Sequence, residues 1–319
     1  MNNKTPDQNA ENPGEFELIR RFFCSGFPQS ADTLLAIGDD ASVVQPPAGS
    51  QLVQSIDTQV ADVHFPATAP AALIAQRALR CAVSDLAAMG ATPQGFHLAL
   101  TLPDSDSGWL KDFSSGLTKA AHELNIALLG GDTTRGQQRV ISVAVQGWVK
   151  HGKTPLTRAA AQDGDKLYLS GPVGAAALAL PQVLNNPADC SAFGQQYYFP
   201  AVHLSLGQAL LGRASACIDV SDGLLQDAGH IARASAVQLH IDTQRVNVAD
   251  EQQRARCLTG GDDYQLLLCG PAALLQPLTA QFPQLHQIGE CRSAEPGVVL
   301  SAADTLLQQL SEQNGFNHF

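Results

Sequence analysis

Positive charge is scarce in this sequence of 319 residues: 19 Lys and Arg residues stand against 30 Asp and Glu residues, which gives a formal net charge of −11. A protein that binds nucleic acid needs a basic surface, so the composition argues against that class. An anionic substrate would also be repelled unless metal ions neutralise the contact. Hydrophobic residues make up 45% of the chain, which is enough for a buried core and excludes a disordered or coiled-coil protein.

Long apolar segments are missing as well. The longest aliphatic run, residues 175–180, is too short to span a bilayer. The polar N-terminus lacks the apolar segment of a signal peptide. We therefore expect a soluble, cytoplasmic protein in which residues 1–13 form a disordered tail.

Paired cysteines are the third absence. None of the seven cysteines forms a CxxC pair, and no Cys and His spacing is typical of a zinc site. Their odd number and apolar surroundings favour buried, reduced thiols. A catalytic thiol is the less favoured alternative.

Apolar runs broken by Gly, Pro and Asp predict a mixed α/β or α+β protein with two domains, 14–150 and 151–319, separated near residues 150–165. Helices are predicted over residues 15–24, 70–89 and 107–124, and from residues 173 and 223 onward. Strands are predicted on both sides of residues 38–40, over 94–103, over 125–129 up to the glycines at 130–131, and over 139–149. An extended segment is expected over 51–65, and further strands over 165–170, 216–220, 237–242 and 264–269.

Seven acidic residues lie at breaks in apolar segments. They are Asp39, Asp40, Asp57, Asp85, Asp132, Asp219 and Asp222. A buried carboxylate without a partner is costly, and Lys and Arg are too few nearby to pair with all of them. For any one acid, a turn or a helix cap is the more common role; Ser221 and Asp222 could simply cap the helix that starts at Gly223. The seven together favour a site for Mg²⁺, which prefers carboxylates, water and phosphates.

Two glycine pairs precede acids. In LLGGDTTRG, Gly130 and Gly131 could bring the backbone close to a phosphate, or could form an ordinary turn. In TGGDDYQL, Asp262 and Asp263 belong either to a loop that enters a strand or to an acidic contact with a cationic part of a substrate.

A phosphate-loop spacing occurs at residues 147–154, but its context is wrong. The apolar alternation runs through Gly147 into Trp148, which predicts a strand, and Pro155 follows where a long helix should begin. We interpret the match as chance, although Lys153 could still lie near a ligand. Arg158, a few residues later, could grip a phosphate, but a surface ion pair is the more common role.

The order of these motifs resembles the thiamine-monophosphate kinase family. The motifs are GEFELI, IGDDA, SDLAAMGA, LLGGDTTRG, GKTPLTR, IDVSDGL, TGGDDYQL and GFNHF, which extend from Gly14 to Phe319. Their wider superfamily includes aminoimidazole-ribonucleotide synthetase and selenophosphate synthetase. The resemblance implies an N-terminal domain that binds ATP and Mg²⁺ and dimerises through its sheet. It also implies a C-terminal α/β domain that binds the substrate.

The resemblance also implies roles for individual residues, and none of these residues acts as a nucleophile. The implied Mg²⁺ ligands are Asp40, Ser55, Ile56, Asp57, Asp85, Asp132, Asp219 and Asp222, with Ile56 using its backbone carbonyl. The implied ATP contacts are Gly131, Asp132, Arg158 and Ser221. The implied contacts to thiamine phosphate are His64, Asp262, Gln313 and Phe316.

The expected reaction is ATP-dependent phosphorylation of thiamine monophosphate to thiamine diphosphate by direct in-line transfer in a homodimer. The sequence departs from the family pattern at five positions: Ile56, Ala82, Asp262, Gln265 and Gln313. These departures leave two alternatives open, a different phosphorylated acceptor and a non-catalytic protein that binds nucleotide or thiamine phosphate. A phosphate-loop NTPase that uses Lys153 is a further, less favoured alternative.

Overall fold

The structure is a computed structural model that describes residues 15–189, 191–301 and 306. The predicted tail over residues 1–13 and the predicted contacts Gln313 and Phe316 lie outside the described residues. The described helices are α1 (Glu15–Phe22), α2 (Ala71–Ala88), α3 (Ser107–Leu124), α4 (Ala175–Asn185), α5 (Ala192–Tyr198), α6 (Leu204–Leu210), α7 (Leu224–Ser235), α8 (Arg254–Thr259) and α9 (Ala272–Leu275). The strands are β1 (Thr33–Leu35), β2 (Val43–Val44), β3 (Gln51–Val60), β4 (Thr92–Leu102), β5 (Ala127–Arg135), β6 (Val140–Val149), β7 (Lys166–Leu169), β8 (Ala216–Val220), β9 (Gln238–Asp242), β10 (Gln265–Gly270), β11 (His286–Arg292) and β12 (Gly297–Ser301). The mixed helix and sheet content confirms the predicted α/β or α+β class.

The described chain divides into two compact units. The first contains the residues up to Gln45 together with 56–79 and 94–144, and the second contains 46–55, 80–93 and the residues from 145 onward. The domain boundary expected near residues 150–165 stays a prediction.

A four-stranded sheet has the order β3-β6-β4-β5, in which β4 and β5 are parallel. The sequence prediction that a strand ends at Gly130 and Gly131 is wrong, because β5 continues through both glycines to Arg135. Gly131 pairs with Leu98 of β4. A Cβ atom on Gly131 would lie 1.9 Å from the Leu98 carbonyl oxygen, so the close approach of the two strands requires a glycine there.

Helix α3 has the bounds that its sequence predicts. The Asp106 side chain accepts hydrogen bonds from the backbone N–H groups of Gly108 and Trp109 at 2.8 and 3.2 Å, which is a standard N-cap. At the other end Asn125 takes a left-handed conformation with φ of 50°, a common way to stop a helix. Gly116 lies in the middle of α3, where a Cβ atom would be 2.3 Å from the carbonyl oxygen of Ala72, so α2 and α3 pack at short distance.

The second unit is built on a six-stranded sheet with the order β12-β9-β11-β7-β10-β8. Four of its pairings are antiparallel, and β12 pairs with β9 in parallel. Apolar side chains fill both faces: Leu167 and Ile218 belong to the cluster that includes α7, whereas Tyr168 and Cys217 belong to the cluster that includes α6 and α9. Every residue of β8 and β10 is buried, so a polar side chain in these strands needs a specific partner.

Two further expectations concern reduced cysteines and the lack of a membrane-spanning segment. Six described cysteines form no disulfide bond, and five of these are buried; Cys190 lies outside the described residues. Among the helices that the structure describes, none has both the length and the apolar character required to cross a bilayer.

Candidate functional site

A cavity of about 940 Å³ in the first unit brings several predicted residues together. Its wall includes Asp40 from the segment after β1, Ile56 from β3, and Gly131 and Asp132 from β5. These residues come from three separate parts of the sequence, and both Asp side chains are exposed to solvent. The cavity therefore presents three carboxylates, those of Asp39, Asp40 and Asp132, beside an apolar sheet surface.

His97 of β4 also lines this cavity, and sequence reasoning missed it. Its Nε2 atom lies 3.1 Å from the Ser42 hydroxyl, which joins β4 to the segment that carries Asp39 and Asp40. Burial lowers the pKa of His97, so the ring is neutral at physiological pH and can accept the Ser42 proton. The residue sits inside an apolar strand, where nothing in the sequence marks it as functional.

Strand β3 presents three consecutive predicted ligands to alternating faces. Ile56 is 66% exposed, whereas Ser55 and Asp57 on either side of it are half-buried. The Ser55 hydroxyl donates a hydrogen bond to Oδ2 of Asp85. The Ile56 side chain has no ligand atom, so only its backbone carbonyl could bind a metal, as the family resemblance implies.

Asp85 lies near the end of α2 in a poorly solvated position. Burial raises the pKa of Asp85, while the Ser55 hydroxyl and the Arg158 guanidinium act in the opposite direction. Arg158 is exposed, yet its positive charge is close enough to lower the pKa of Asp85. A carboxyl group whose pKa is shifted by burial and by a specific charged neighbour is typical of a functional site.

Asp219 is an acidic residue in the otherwise apolar strand β8, and it is only 5% exposed. Its Oδ2 atom accepts a hydrogen bond of 2.7 Å from the Ser84 hydroxyl. Ser84 directly precedes Asp85 in α2, so two adjacent residues of one helix contact Asp219 and Ser55. The structure thus places three predicted Mg²⁺ ligands, Ser55, Asp85 and Asp219, around the end of α2.

The loop after β8 is held by Asp227, which sequence reasoning also missed. The Asp227 side chain is 2% exposed, and its Oδ2 atom accepts hydrogen bonds of 3.0 Å from the backbone N–H groups of Ser221 and Asp222. Burial raises the pKa of Asp227 to about 7. Oδ2 of Asp222 accepts a hydrogen bond of 3.2 Å from Nε2 of Gln226. The only sequence signal for Asp227 is its place in the first turn of a predicted helix.

Asp222, Asp227 and His230 have ligand atoms that all lie within 4.8 Å of one another. Burial and the nearby charges of Arg233 and Arg158 lower the pKa of His230, and Asp222 opposes this effect. Carboxyl oxygens and guanidinium groups together suit a ligand that carries both phosphate oxygens and a divalent cation. This is the only such group of His, Cys, Asp and Glu within the described ranges.

The GGDD loop runs directly beside this site. The Asp262 N–H donates a hydrogen bond of 2.8 Å to the carbonyl oxygen of Ser221. A Cβ atom on Gly261 would lie 2.3 Å from the same oxygen, which explains the second glycine of the motif. The Tyr264 hydroxyl donates to Oδ1 of Asp262 at 3.3 Å. Asp262, the predicted contact to thiamine phosphate, therefore lies next to Ser221, the predicted contact to ATP.

Asp263 and Gln265, which follow Asp262 in the chain, are both buried in the protein. Asp263 is 7% exposed and accepts hydrogen bonds of 2.8 and 2.7 Å from the N–H of Gly174, at the start of α4. Burial raises the pKa of Asp263 to about 8. The Gln265 side chain accepts a hydrogen bond of 2.8 Å from the Ser170 hydroxyl. Gln265, one of the departures from the family pattern, is therefore a buried partner of Ser170.

Four residues named in the sequence analysis remain: His64, Ala82, Trp148 and Lys153. The ring of His64 is fixed by the Val60 N–H, which donates to Nδ1 at 3.1 Å. Lys153 is exposed, with Nζ 3.5 Å from the Leu211 carbonyl oxygen, and Trp148 lies within β6. The predicted strand at Trp148 is confirmed, which removes the structural context that a phosphate loop requires. Ala82, another departure, is fully buried in α2.

Comparisons with known proteins extend over most of the chain. A family model described as AIR synthase related protein, N-terminal domain, matches residues 38–149. The thiamine-monophosphate kinase of Haemophilus influenzae is 36% identical over 285 residues, which cover 86% of this chain and 86% of that protein. The crystal structure of thiamine-monophosphate kinase from Stenotrophomonas maltophilia has a TM-score of 0.78 and 37% identity, covering 85% of this chain and 91% of that one. AaThiL complexed with AMPPCP and TMP has a TM-score of 0.75 and 25% identity, covering 96% of this chain and 97% of that one.

Proposed function

This chain belongs to the thiamine-monophosphate kinase family, and from that membership we propose that it transfers the γ-phosphate of ATP to thiamine monophosphate, forming thiamine diphosphate and ADP. The observation that carries the proposal is the 36% identity to a thiamine-monophosphate kinase over 86% of both chains. A relative of the same fold that binds AMPPCP and TMP supports the same pair of substrates.

The chemistry requires little from protein side chains beyond binding and electrostatics. The second pKa of a phosphate monoester is about 6, so the acceptor is mostly a dianion at neutral pH and needs no general base. The main obstacle is repulsion, because two unit charges 4 Å apart repel by about 4 kcal/mol at an effective dielectric constant of 20. Direct in-line transfer then depends on bringing two anions together in the correct orientation.

Mg²⁺ fits the donor set at this site. Asp85 and Asp219 lie at the end of α2, where they accept hydrogen bonds from Ser55 and Ser84. Asp222 lies in the loop after β8, and Asp85 carries a burial penalty that a bound cation would relieve. We propose that the ligands are those that the family resemblance implies: Asp40, Ser55, Ile56, Asp57, Asp85, Asp132, Asp219 and Asp222. Bound Mg²⁺ would neutralise the phosphate oxygens and lower the repulsion between the two substrates.

Within the nucleotide site, we propose that Arg158 and Ser221 contact the phosphates of ATP. Arg158 is exposed and electrostatically coupled to Asp85, so it can bind a phosphate without leaving a buried charge unpaired. Gly131 and Asp132 line the cavity of the first unit. Their part in binding ATP is proposed from the family pattern.

For the acceptor, we propose contacts from His64 and Asp262. The Asp262 carboxyl is half-buried beside Ser221 and is oriented by the Tyr264 hydroxyl. An acidic group at this position suits the cationic thiazolium ring of thiamine monophosphate. Gln313 and Phe316 complete the proposed set, outside the described residues.

We further propose a homodimer in the cytoplasm. The first unit exposes large apolar side chains, among them Leu34 at 65% and Ile56 at 66%, and burying such side chains against a second copy would stabilise the assembly. Sedimentation velocity on the purified protein tests the dimer. The six described cysteines form no disulfide bond, which supports a reducing compartment.

A coupled assay with ATP, Mg²⁺ and thiamine monophosphate tests the proposed function. We expect diphosphate formation that stops when EDTA removes the metal and falls by about 10²–10³-fold in Asp222→Asn, since one electrostatic group commonly contributes that much. Asp250→Asn is the matched control, because Asp250 is a half-buried capping acid with no proposed role. Binding of ATP without turnover on thiamine monophosphate would refute this acceptor and favour another phosphorylated compound.

A further inference from the structure

Two buried acids are not among the proposed metal ligands or substrate contacts, yet each lies close in the chain to a residue that is. Asp227 follows the loop that carries Asp222, and Asp263 follows Asp262 in the chain. Both are more than nine-tenths buried. Burying a carboxyl group is costly unless hydrogen bonds compensate, so the contacts that each one makes indicate its role.

Asp227 gathers the backbone of the loop after β8. Its carboxyl group accepts from the N–H groups of Ser221 and Asp222 at 3.0 Å each, and from that of Gly223. Gly223 has a φ of 120°, and a Cβ atom there would lie 2.4 Å from the Thr259 carbonyl oxygen. The loop therefore follows one path, fixed by Asp227 from inside, and that path leaves the Asp222 side chain half-buried at the site.

Asp263 performs the same task for the neighbouring loop. Its carboxyl group accepts from the N–H groups of Gly174, Ala175 and Ala176 at the start of α4. The residues on both sides, Asp262 and Tyr264, have φ values of 68° and 52°, which are unfavourable for non-glycine residues. Such a conformation persists only where the surroundings hold it, and the buried hydrogen bonds of Asp263 supply that hold.

We propose that Asp227 and Asp263 are positioning residues, and that each of them supports the binding of one of the two substrates. Asp227 positions Ser221 and Asp222 for the nucleotide and its metal, and Asp263 positions Asp262 for the acceptor. The division rests on the proposed function, in which these two loops bind different substrates.

Steady-state kinetics of matched variants test the division. We expect Asp227→Asn to raise KM for MgATP by about tenfold, the effect of one lost buried hydrogen bond, and to leave KM for thiamine monophosphate unchanged. Asp263→Asn should do the reverse. Asp165→Asn is the control: Asp165 is also buried and accepts a backbone hydrogen bond of 3.0 Å, from Gln162, but lies in a turn without a proposed role. It should lower Tm and leave both KM values unchanged.

The proposal is overturned if both KM values move together in each variant, or if Asp227→Asn and Asp263→Asn lower Tm but change neither KM. Should either Asn variant fail to fold, Asp227→Glu and Asp263→Glu keep the carboxyl group while shifting its oxygens, and the same divided effect is expected. Titration calorimetry with MgAMPPCP separates this proposal from the proposed function. A wild-type protein that binds MgAMPPCP but does not phosphorylate thiamine monophosphate refutes the function, and weaker MgAMPPCP binding in Asp227→Asn but not in Asp263→Asn would still support the positioning role.

Discussion

Replacing Gly131 by Ala should destabilise the first unit, because this glycine is required by strand packing. The added Cβ atom would lie 1.9 Å from the Leu98 carbonyl oxygen and 2.8 Å from the Leu98 carbonyl carbon, and both are rigid backbone atoms of β4. Ordinary contact would require the two strands to separate by more than about 1 Å, which is incompatible with the hydrogen bonds at this pair.

The size of the effect follows from the contacts that are lost. Two backbone hydrogen bonds contribute about 1 kcal/mol each, and overpacking adds about 1–3 kcal/mol, so the free energy of unfolding should fall by about 3–5 kcal/mol. At roughly 2–4 °C per kcal/mol for a domain of 150–250 residues, the expected decrease in Tm is about 10 °C.

Gly130→Ala is the matched control. Its Cβ atom would meet the His97 ring at 3.2 Å, and a side chain can move by a few tenths of an ångström. We expect a decrease in the free energy of unfolding below about 1 kcal/mol. Circular dichroism melts of both variants and the wild type measure the difference. Equal Tm values for the two variants would refute the packing argument and favour a role for Gly131 in ligand contact alone.

Three other predictions concern the second unit. Ser84→Ala removes a hydrogen-bond donor from buried Asp219, so urea titration should show the free energy of unfolding reduced by about 1–3 kcal/mol, and half-maximal activity should require more Mg²⁺; no change in either quantity would contradict the contact. Lys153→Ala should leave kcat/KM nearly unchanged because the strand at Trp148 removes the phosphate-loop context, whereas Asp85→Asn should lower kcat/KM about 10²-fold or more; the opposite order would support a phosphate loop. Burial raises the pKa of Asp263 from 3.8 to about 8, so between about pH 4 and pH 8 the folded protein retains a proton that the unfolded chain has released, and stability falls as the pH rises. Tm measured in EDTA across this range should decrease less in Asp263→Asn than in the wild type, and identical slopes would argue against the raised pKa.

Much of the fold could be predicted because local signals were strong. Helix α3 has an Asp at its N-cap and an Asn at its C-cap, and β8 is a short apolar run between breaks, so the sequence alone located both. The failure at Gly130 and Gly131 has a physical cause: a glycine that permits a turn and a glycine that permits close strand packing look the same in sequence. Only the partner strand distinguishes them.

The candidate site could be predicted in its acids but not in its supporting residues. Asp85 and Asp219 were identified by their place in apolar segments, and the structure shows Asp219 buried against Ser84. Ser84 itself and Asp227 carry no such signal, because their importance comes from atoms that are far away in sequence or that belong to the backbone. Sequence reasoning therefore finds groups that face a ligand more readily than groups that hold them in place.

The adjacent positions of Ser84 and Asp85 in α2 have a consequence for how this chain can change over time. Successive helical residues are about 100° apart around the axis, so one rigid rod sets the directions of both contacts, to Asp219 and to Ser55. Deleting a single residue earlier in α2 would turn both side chains away at once, and no compensating change at one partner could restore both. Insertions and deletions among related sequences should therefore be absent from the part of α2 before Ser84 and should occur in the surface loops instead.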